Sequence, residues 1–296
     1  MPNNILQNTV TSIDLGSNSF RVLKFDCSSK ESLVEFDTTV GTADGLSKTG
    51  NISKEALLRI ITAIKKSIEI VDYDPKTAIA VTTQALRIAN NSQEILSEIK
   101  AQTGVDFKII DGETEGKLSL LSIQNALHRE NLKDDNFVLV DIGGGSSELI
   151  IFQKGNNHIK SFSFGIVTLS QSLNQEKDLA IFENEILEFV KNSQYDITDS
   201  IFISTAGTPT IIAALKHGLD NADYDKHIIN GTTLKAQEVL DIQNKLQSVS
   251  KEELIKGEGT RGLKIITLTK GKTGYAICSI RISSSMGPSS AKCEKP

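Results

Sequence analysis

The sequence predicts an α/β protein of two similar domains with a cleft between them. Short apolar strands alternate with amphipathic helices through the first half. A strand, small-residue turn and strand at residues 10–26 recur 127 positions later. The length, 296 residues, suits two domains at roughly 100 to 200 residues each. A recurrence at that distance is too long for a solenoid period and points to two related units facing each other.

The elements follow in order. Val10 to Asp26 reads as a strand, a Gly/Ser/Asn turn and a second strand of alternating pattern. A loop is expected from Gly41 to Asn51, then an amphipathic helix over Ser53 to Val71 with Ser53 as N-cap and Glu55 just inside. Thr77 to Thr82 is a buried strand, Ala85 to Ala101 a helix and Asp106 to Ile110 a strand. Glu113 to His128 is a helix with two carboxylates in its first turn, followed by the charged loop Arg129 to Asn136. The domain division is placed there, giving domains 1–128 and 129–296.

The second half opens with the strand Phe137 to Asp141, a glycine turn and the strand Glu148 to Gln153. Helices are expected over Lys177 to Lys191, Thr210 to His217 and Leu234 to Leu254, with a strand at Ser200 to Ser204 and a glycine turn at Thr205 to Pro209. From about Leu263 the chain has strand-like pieces without a helical face.

The chemistry lies in the duplicated turns, Asp14-Leu-Gly16-Ser-Asn-Ser19 and Asp141-Ile-Gly143-Gly-Gly-Ser146. Turns of glycine and small hydroxyl residues let backbone N–H groups approach an anion. An aspartate at the end of each preceding strand would face the same cleft, and carboxylates with phosphate oxygens are how proteins hold Mg²⁺. A single such turn is commonly structural. The duplicate favours phosphate binding, while kinase, chaperone ATPase and phosphatase all remain open at this point.

Other patterns carry less. Gly257, Gly259 and Gly262 spell GxGxxG after a helical segment, where a dinucleotide fold needs a strand. Gly271-Lys272-Thr273 lacks the first glycine of a phosphate loop, since Ile266 stands in its place. His128, His158, His217 and His227 show no ligand spacing. The cysteines, Cys27, Cys278 and Cys293, are read as incidental thiols without a disulfide framework. A net charge of −5 makes nucleic acid a poor partner, because that binding rests on clustered Lys and Arg. No apolar run spans a bilayer and no charged leader opens the chain, so a cytoplasmic, non-membrane protein is expected.

DLGSNSFRVL at Asp14 to Leu23 and DIGGGSSELIIF at Asp141 to Phe152 resemble the two phosphate motifs of the exopolyphosphatase/guanosine-pentaphosphatase (Ppx/GppA) family. VTTQALRIANN, Val81 to Asn91, resembles its T-x-A-x-R-x-A-x-N segment, and IIDGETEGKLSLL, Ile109 to Leu121, its glutamate-bearing helix start. SFGIVTLSQ at Ser163 to Gln171 and TAGTPT at Thr205 to Thr210 extend the likeness to about residue 215. Glu113, Thr114 and Gln84 depart from the family's usual residues, and the end after about residue 262 is atypical, so Arg261 is not carried over.

The resemblance implies two actin-like ATPase (ribonuclease H-like) domains and a Mg²⁺-dependent hydrolase acting on polyphosphate or guanosine pentaphosphate. It implies Asp14, Asp141 and Glu148 as metal-linked carboxylates. Ser17, Asn18, Ser19 and Gly143, Gly144, Gly145, Ser146 are implied as phosphate loops, with Arg21 and Arg87 as charge partners. Glu115 is implied as the leading base, and Glu148 as a holder of metal or water. An ATP-binding relative of the fold and a non-catalytic sensor of guanosine tetra- or pentaphosphate are the competing readings. A homodimer is compatible with all of them.

Overall fold

The computed structural model describes residues 8–129, 132, 135–198, 200–219, 225–248 and 275–278. The glycine patterns at 257–262 and 271–273 lie outside them.

The chain begins with three antiparallel strands, β1 (Thr9–Leu15), β2 (Ser19–Asp26) and β3 (Glu31–Thr39). A short helix α1 (Leu46–Thr49) interrupts the expected loop. Helix α2 (Lys54–Val71) follows, and the Ser53 hydroxyl accepts from the Ala56 N–H as its N-cap. Its Ala56, Ile60, Ile64 and Val71 recur at helical spacing and bury against Phe20 and Val22 of β2. Each fully buried isoleucine contributes about 1.5–3 kcal/mol.

Strand β4 (Ile79–Thr82) returns parallel to β1, and β5 (Phe107–Ile109) lies parallel to β4. Between them the expected single helix is two: α3 (Gln84–Ile88) and α4 (Ser92–Thr103). The break has a cause at Asn91, whose side chain bonds both the N–H and the carbonyl of Ile52, at 2.9 and 3.0 Å. That local bridge competes with helix continuation, and Ala89 is extended.

Helix α5 (Gly112–Arg129) leads to β6 (Asn136–Ile142), β7 (Ser147–Gln153) and β8 (Asn156–Phe162), again all antiparallel. Then come α6 (Ile166–Ser170), α7 (Gln175–Ser193), β9 (Ile201–Thr205) and α8 (Gly207–Lys216), which starts inside the expected glycine turn. The described chain ends with α9 (Lys226–Ile229), β10 (Thr232–Lys235), α10 (Ala236–Ser248) and β11 (Tyr275–Cys278). Leu234, expected to open a helix, is in β10, antiparallel to β11; residues 249–254 of that expected helix lie outside the described residues.

Among the described residues the strands form two sheets, ordered β3-β2-β1-β4-β5 and β10-β11-β9-β6-β7-β8. The second repeats the first, with β8-β7-β6-β9-β11 in the places of β3-β2-β1-β4-β5. Strand β11 lies parallel to β9 as β5 does to β4, and β10 is an added edge. The duplication read from the two turns therefore extends to whole sheets, in the α/β actin-like architecture. The third strands, β3 and β8, were not anticipated. Their pairing is set by neighbours rather than by local pattern.

Helix α5 packs on the second sheet. Leu120, Ile123 and Leu127 join Phe137, Leu139, Ile150 and Phe152 in one apolar cluster, while α2 belongs to another with Phe20 and Val22. We propose dividing the domains before α5, near residue 111, rather than after residue 128. Cys27 is disulfide-bonded, against the expectation of incidental thiols, because spacing along the chain does not report pairing across the fold.

Candidate functional site

The two duplicated turns close by the same hydrogen bond. Gly16 N–H donates to the Ser19 carbonyl and Gly143 N–H to the Ser146 carbonyl, each at 2.9 Å. They meet head to head. A Cβ on Gly144 would lie 3.1 Å from the Asn18 Cβ, and one on Gly145 would lie 2.4 Å from the Ser17 Oγ. The glycines are needed here for close approach of one domain's loop to the other's.

A cavity of about 300 Å³ opens between the loops. Of the expected residues, it is lined by Asp14, Ser17, Asn18, Ser19, Arg21, Glu115, Asp141 and Gly143 to Ser146. Arg87 and Glu148 do not line it. Arg87 stands behind Glu115, its Nη2 donating to the Glu115 Oε2 at 2.5 Å. Glu148 is 2% exposed and accepts from the Ser161 hydroxyl at 2.6 Å, with Ser146 as a second hydroxyl partner.

Register explains these places. Asp14 pairs across the strands with Arg21, and Arg21 with Asp37. Asp141 pairs with Glu148, and Glu148 with Ser161. Each sheet thus presents a three-residue row at the cleft end of its antiparallel strands. Within the first row the Arg21 Nε donates to the Asp37 Oδ2 at 2.8 Å. Within α5, Ser119 stands one turn after Glu115 on the same face, and its hydroxyl donates to the Asp141 Oδ2 at 2.7 Å.

The carboxylates are crowded and dry. Burial, with Asp141 and Asp37 adding to it and Arg21 opposing, lifts Asp14 to about 6. Burial lifts Glu115 to about 7, against the pull of Arg87 and with Asp14 and Asp141 adding to the rise. Glu148 is pushed well above the carboxylate range by burial and then by the charges of Glu115 and Asp141. Burial works against the Arg21 charge, but Asp37 and Asp14 outweigh it and hold its pKa above the ordinary arginine value.

Two features bear on Mg²⁺. The charge of Asp141 reaches Asp14 across the cleft, and a hard dication suits such oxygen donors. The Ser17 hydroxyl, on the cleft wall, is buried with no hydrogen-bond partner, as is that of Thr205, which leaves donors for an anion. Among the described residues, no group of three or more His, Cys, Asp or Glu is gathered so as to hold a metal unaided.

Several lining residues escaped the sequence reading: Asp37, Thr39, Thr83, Ser119 and Ser122. Ser119 had a signal, one helical turn beyond Glu115. Asp37 had none, because β3 itself was not foreseen.

Paired actin-like sheets, with matched glycine turns and a carboxylate-lined cleft between them, define a two-domain protein of the actin-like class. The sequence profile of the Ppx/GppA phosphatase family matches residues 28–257, and the chain belongs to that family. A bifunctional 3-dehydroquinate synthase/phosphatase of Fusobacterium nucleatum is 25% identical over 273 residues, covering 85% of this chain and 40% of that protein. The chain thus spans well under half the length of that relative. An exopolyphosphatase of Cytophaga hutchinsonii superposes with a TM-score of 0.76 at 23% identity, covering 92% of this chain and 94% of that one. The Aquifex aeolicus PPX-GPPA enzyme gives 0.72 at 23% identity, covering 92% and 95%. At that identity these two likenesses speak for the fold. Among the described residues, no helix is long and apolar enough to cross a membrane.

Proposed function

We propose that the protein is a Mg²⁺-dependent phosphohydrolase that releases the terminal phosphate of polyphosphate or guanosine pentaphosphate. The observation that carries this is Glu115, set on the cleft wall beside Asp14 and Asp141 with its pKa near 7 and Arg87 at its back. A general base works best when its pKa lies near the working pH.

The Gly16–Ser19 and Gly143–Ser146 turns would cradle successive phosphates through backbone N–H groups and the Ser17 hydroxyl. Arg21, the cation among the charged cleft-lining residues described, would meet charge developing on the transferred group. Glu115 would take the proton of the attacking water. Arg87 orients it. Glu148, held by Ser146 and Ser161 and absent from the cleft lining, would support the second loop from behind rather than ligate a metal. Asp14 and Asp141 would hold Mg²⁺, whose chemistry is to neutralise the phosphate oxygens.

The test is phosphate release from polyphosphate, guanosine pentaphosphate, ATP and a simple phosphate ester, with and without Mg²⁺. Release from a phosphoanhydride that stops on chelation is expected. Hydrolysis of the ester alone, or of nothing, would overturn the reading.

A further inference from the structure

Each sheet carries a row of three residues at the cleft end of its antiparallel strands, and in each the outer strand of that antiparallel set supplies a side chain that grips the middle one. In the second sheet, Ser161 of β8 donates to Glu148 of β7 at 2.6 Å. In the first, Asp37 of β3 accepts the Nε–H of Arg21 of β2 at 2.8 Å. The two domains hold their central residues by one device at one register position, with donor and acceptor exchanged to suit the charge in the middle.

The pair on β2 and β3 is partly open to the cleft, with side-chain exposures of 26% for Arg21 and 31% for Asp37. A guanidinium carries five N–H donors in a fixed plane. A carboxylate on Nε sets the tilt of that plane and leaves four donors on the two Nη groups. An arginine on a long flexible stem otherwise spreads over many rotamers, and ordering it on binding costs affinity. An acidic residue beside an anion site reduces attraction, so its place there calls for a function other than charge.

We propose that Asp37 is a positioning residue for the anion site: it pre-orients Arg21 so that the Nη donors face the terminal phosphate. The proposal rests on the phosphohydrolase reading for the identity of the anion. Charge and positioning make opposite forecasts for one pair of variants. Both Asp37→Asn and Asp37→Ala remove one negative charge from the cleft mouth. Only the asparagine keeps an oxygen to accept the Nε–H.

The experiment measures KM and kcat for phosphate release from tripolyphosphate, and separately titrates tripolyphosphate calorimetrically in the presence of Mg²⁺ using a Glu115→Gln background. The expected result is a KM and Kd raised about tenfold in Asp37→Ala, with Asp37→Asn at or below the original values and kcat changed less than KM in both. Thermal midpoints check that the variants fold. Equal effects in the two variants, or tighter binding in both, would overturn the positioning role, as would a protein that does not bind tripolyphosphate. If the unaltered protein binds but releases no phosphate from any substrate, the hydrolase reading fails, and the titration still decides the role of Asp37.

Discussion

Arg21 and Glu148 occupy the same register position in two copies of one hairpin. Arg21 faces Asp14 across β1 and β2, and Glu148 faces Asp141 across β6 and β7. Duplication supplied the two aspartates and the two turns. Divergence at the paired position then put a cation on one side of the cleft and a buried acid on the other. The site is therefore symmetrical in backbone and asymmetrical in charge, which suits an anion held from one side and attacked from another.

Glu115→Gln is expected to retain the fold and tripolyphosphate binding and to lose at least about 100-fold in kcat, the lower range for a positioned acid–base group. Phosphate release at near the original rate would remove Glu115 from the base role.

Arg87 is expected to act through Glu115. Its charge lowers the Glu115 pKa, so Arg87→Ala moves the acid limb of the kcat profile to higher pH, because the base ionises later. Arg87→Lys restores the charge without the guanidinium geometry and recovers the limb only in part. A profile that falls uniformly without shifting would contradict the pairing seen here.

The metal-free protein should lose stability as pH rises. Asp14 and Glu115 have folded-state pKa values near 6 and 7, above their ordinary 3.8 and 4.5. The folded protein therefore binds more protons than the unfolded chain across that interval. Their contribution is fully present below the unfolded values and is lost as pH climbs through the folded ones. Thermal midpoints should fall between about pH 4.5 and pH 7, and the Asp14→Asn/Glu115→Gln double variant should flatten the fall. A midpoint that rises across this window in the original protein and falls in the variant would reverse the assignment.

Asp141→Asn should weaken the dependence of activity on Mg²⁺, because a neutral amide is a poorer ligand for a hard dication. A magnesium titration that superposes on the original would show that Asp141 does not serve the metal.

Gly165→Ala tests the contact behind the second loop. A Cβ there would lie 2.5 Å from the Gly144 carbonyl carbon and oxygen, which are backbone atoms that cannot swing aside. The expected cost is about 1–3 kcal/mol of stability, as for an overpacked core, together with weaker tripolyphosphate binding as the loop shifts. Denaturant unfolding and calorimetry read the two effects; an alanine variant unchanged in both would show that the loop yields freely.

Some of this was legible in the sequence because it is local. The turns after Asp14 and Asp141 announce themselves by glycine, hydroxyl residues and flanking apolar strands, all within one short stretch of chain. Helix α2 carries its own cap and its own period. The likeness of the two halves needed only those turns to be laid side by side.

What the tertiary structure decided is non-local. Arg87 and Glu115 are 28 positions apart, and no pattern along the chain says that the arginine binds the glutamate instead of facing the cleft. Glu148 follows the second loop in sequence and shares a sheet face with its register partner Asp141, yet helix α5 lies over it, with Gly116 against its side chain. Asp37 became visible only when β3 took its register against β2. The expected boundary after residue 128 gave way to a proposed one before α5 because an amphipathic helix shows that it has an apolar face without showing which sheet covers it. Local pattern determines elements and turns; the burial, pairing and charge balance of the cleft depend on which elements meet, and that is settled by packing in three dimensions.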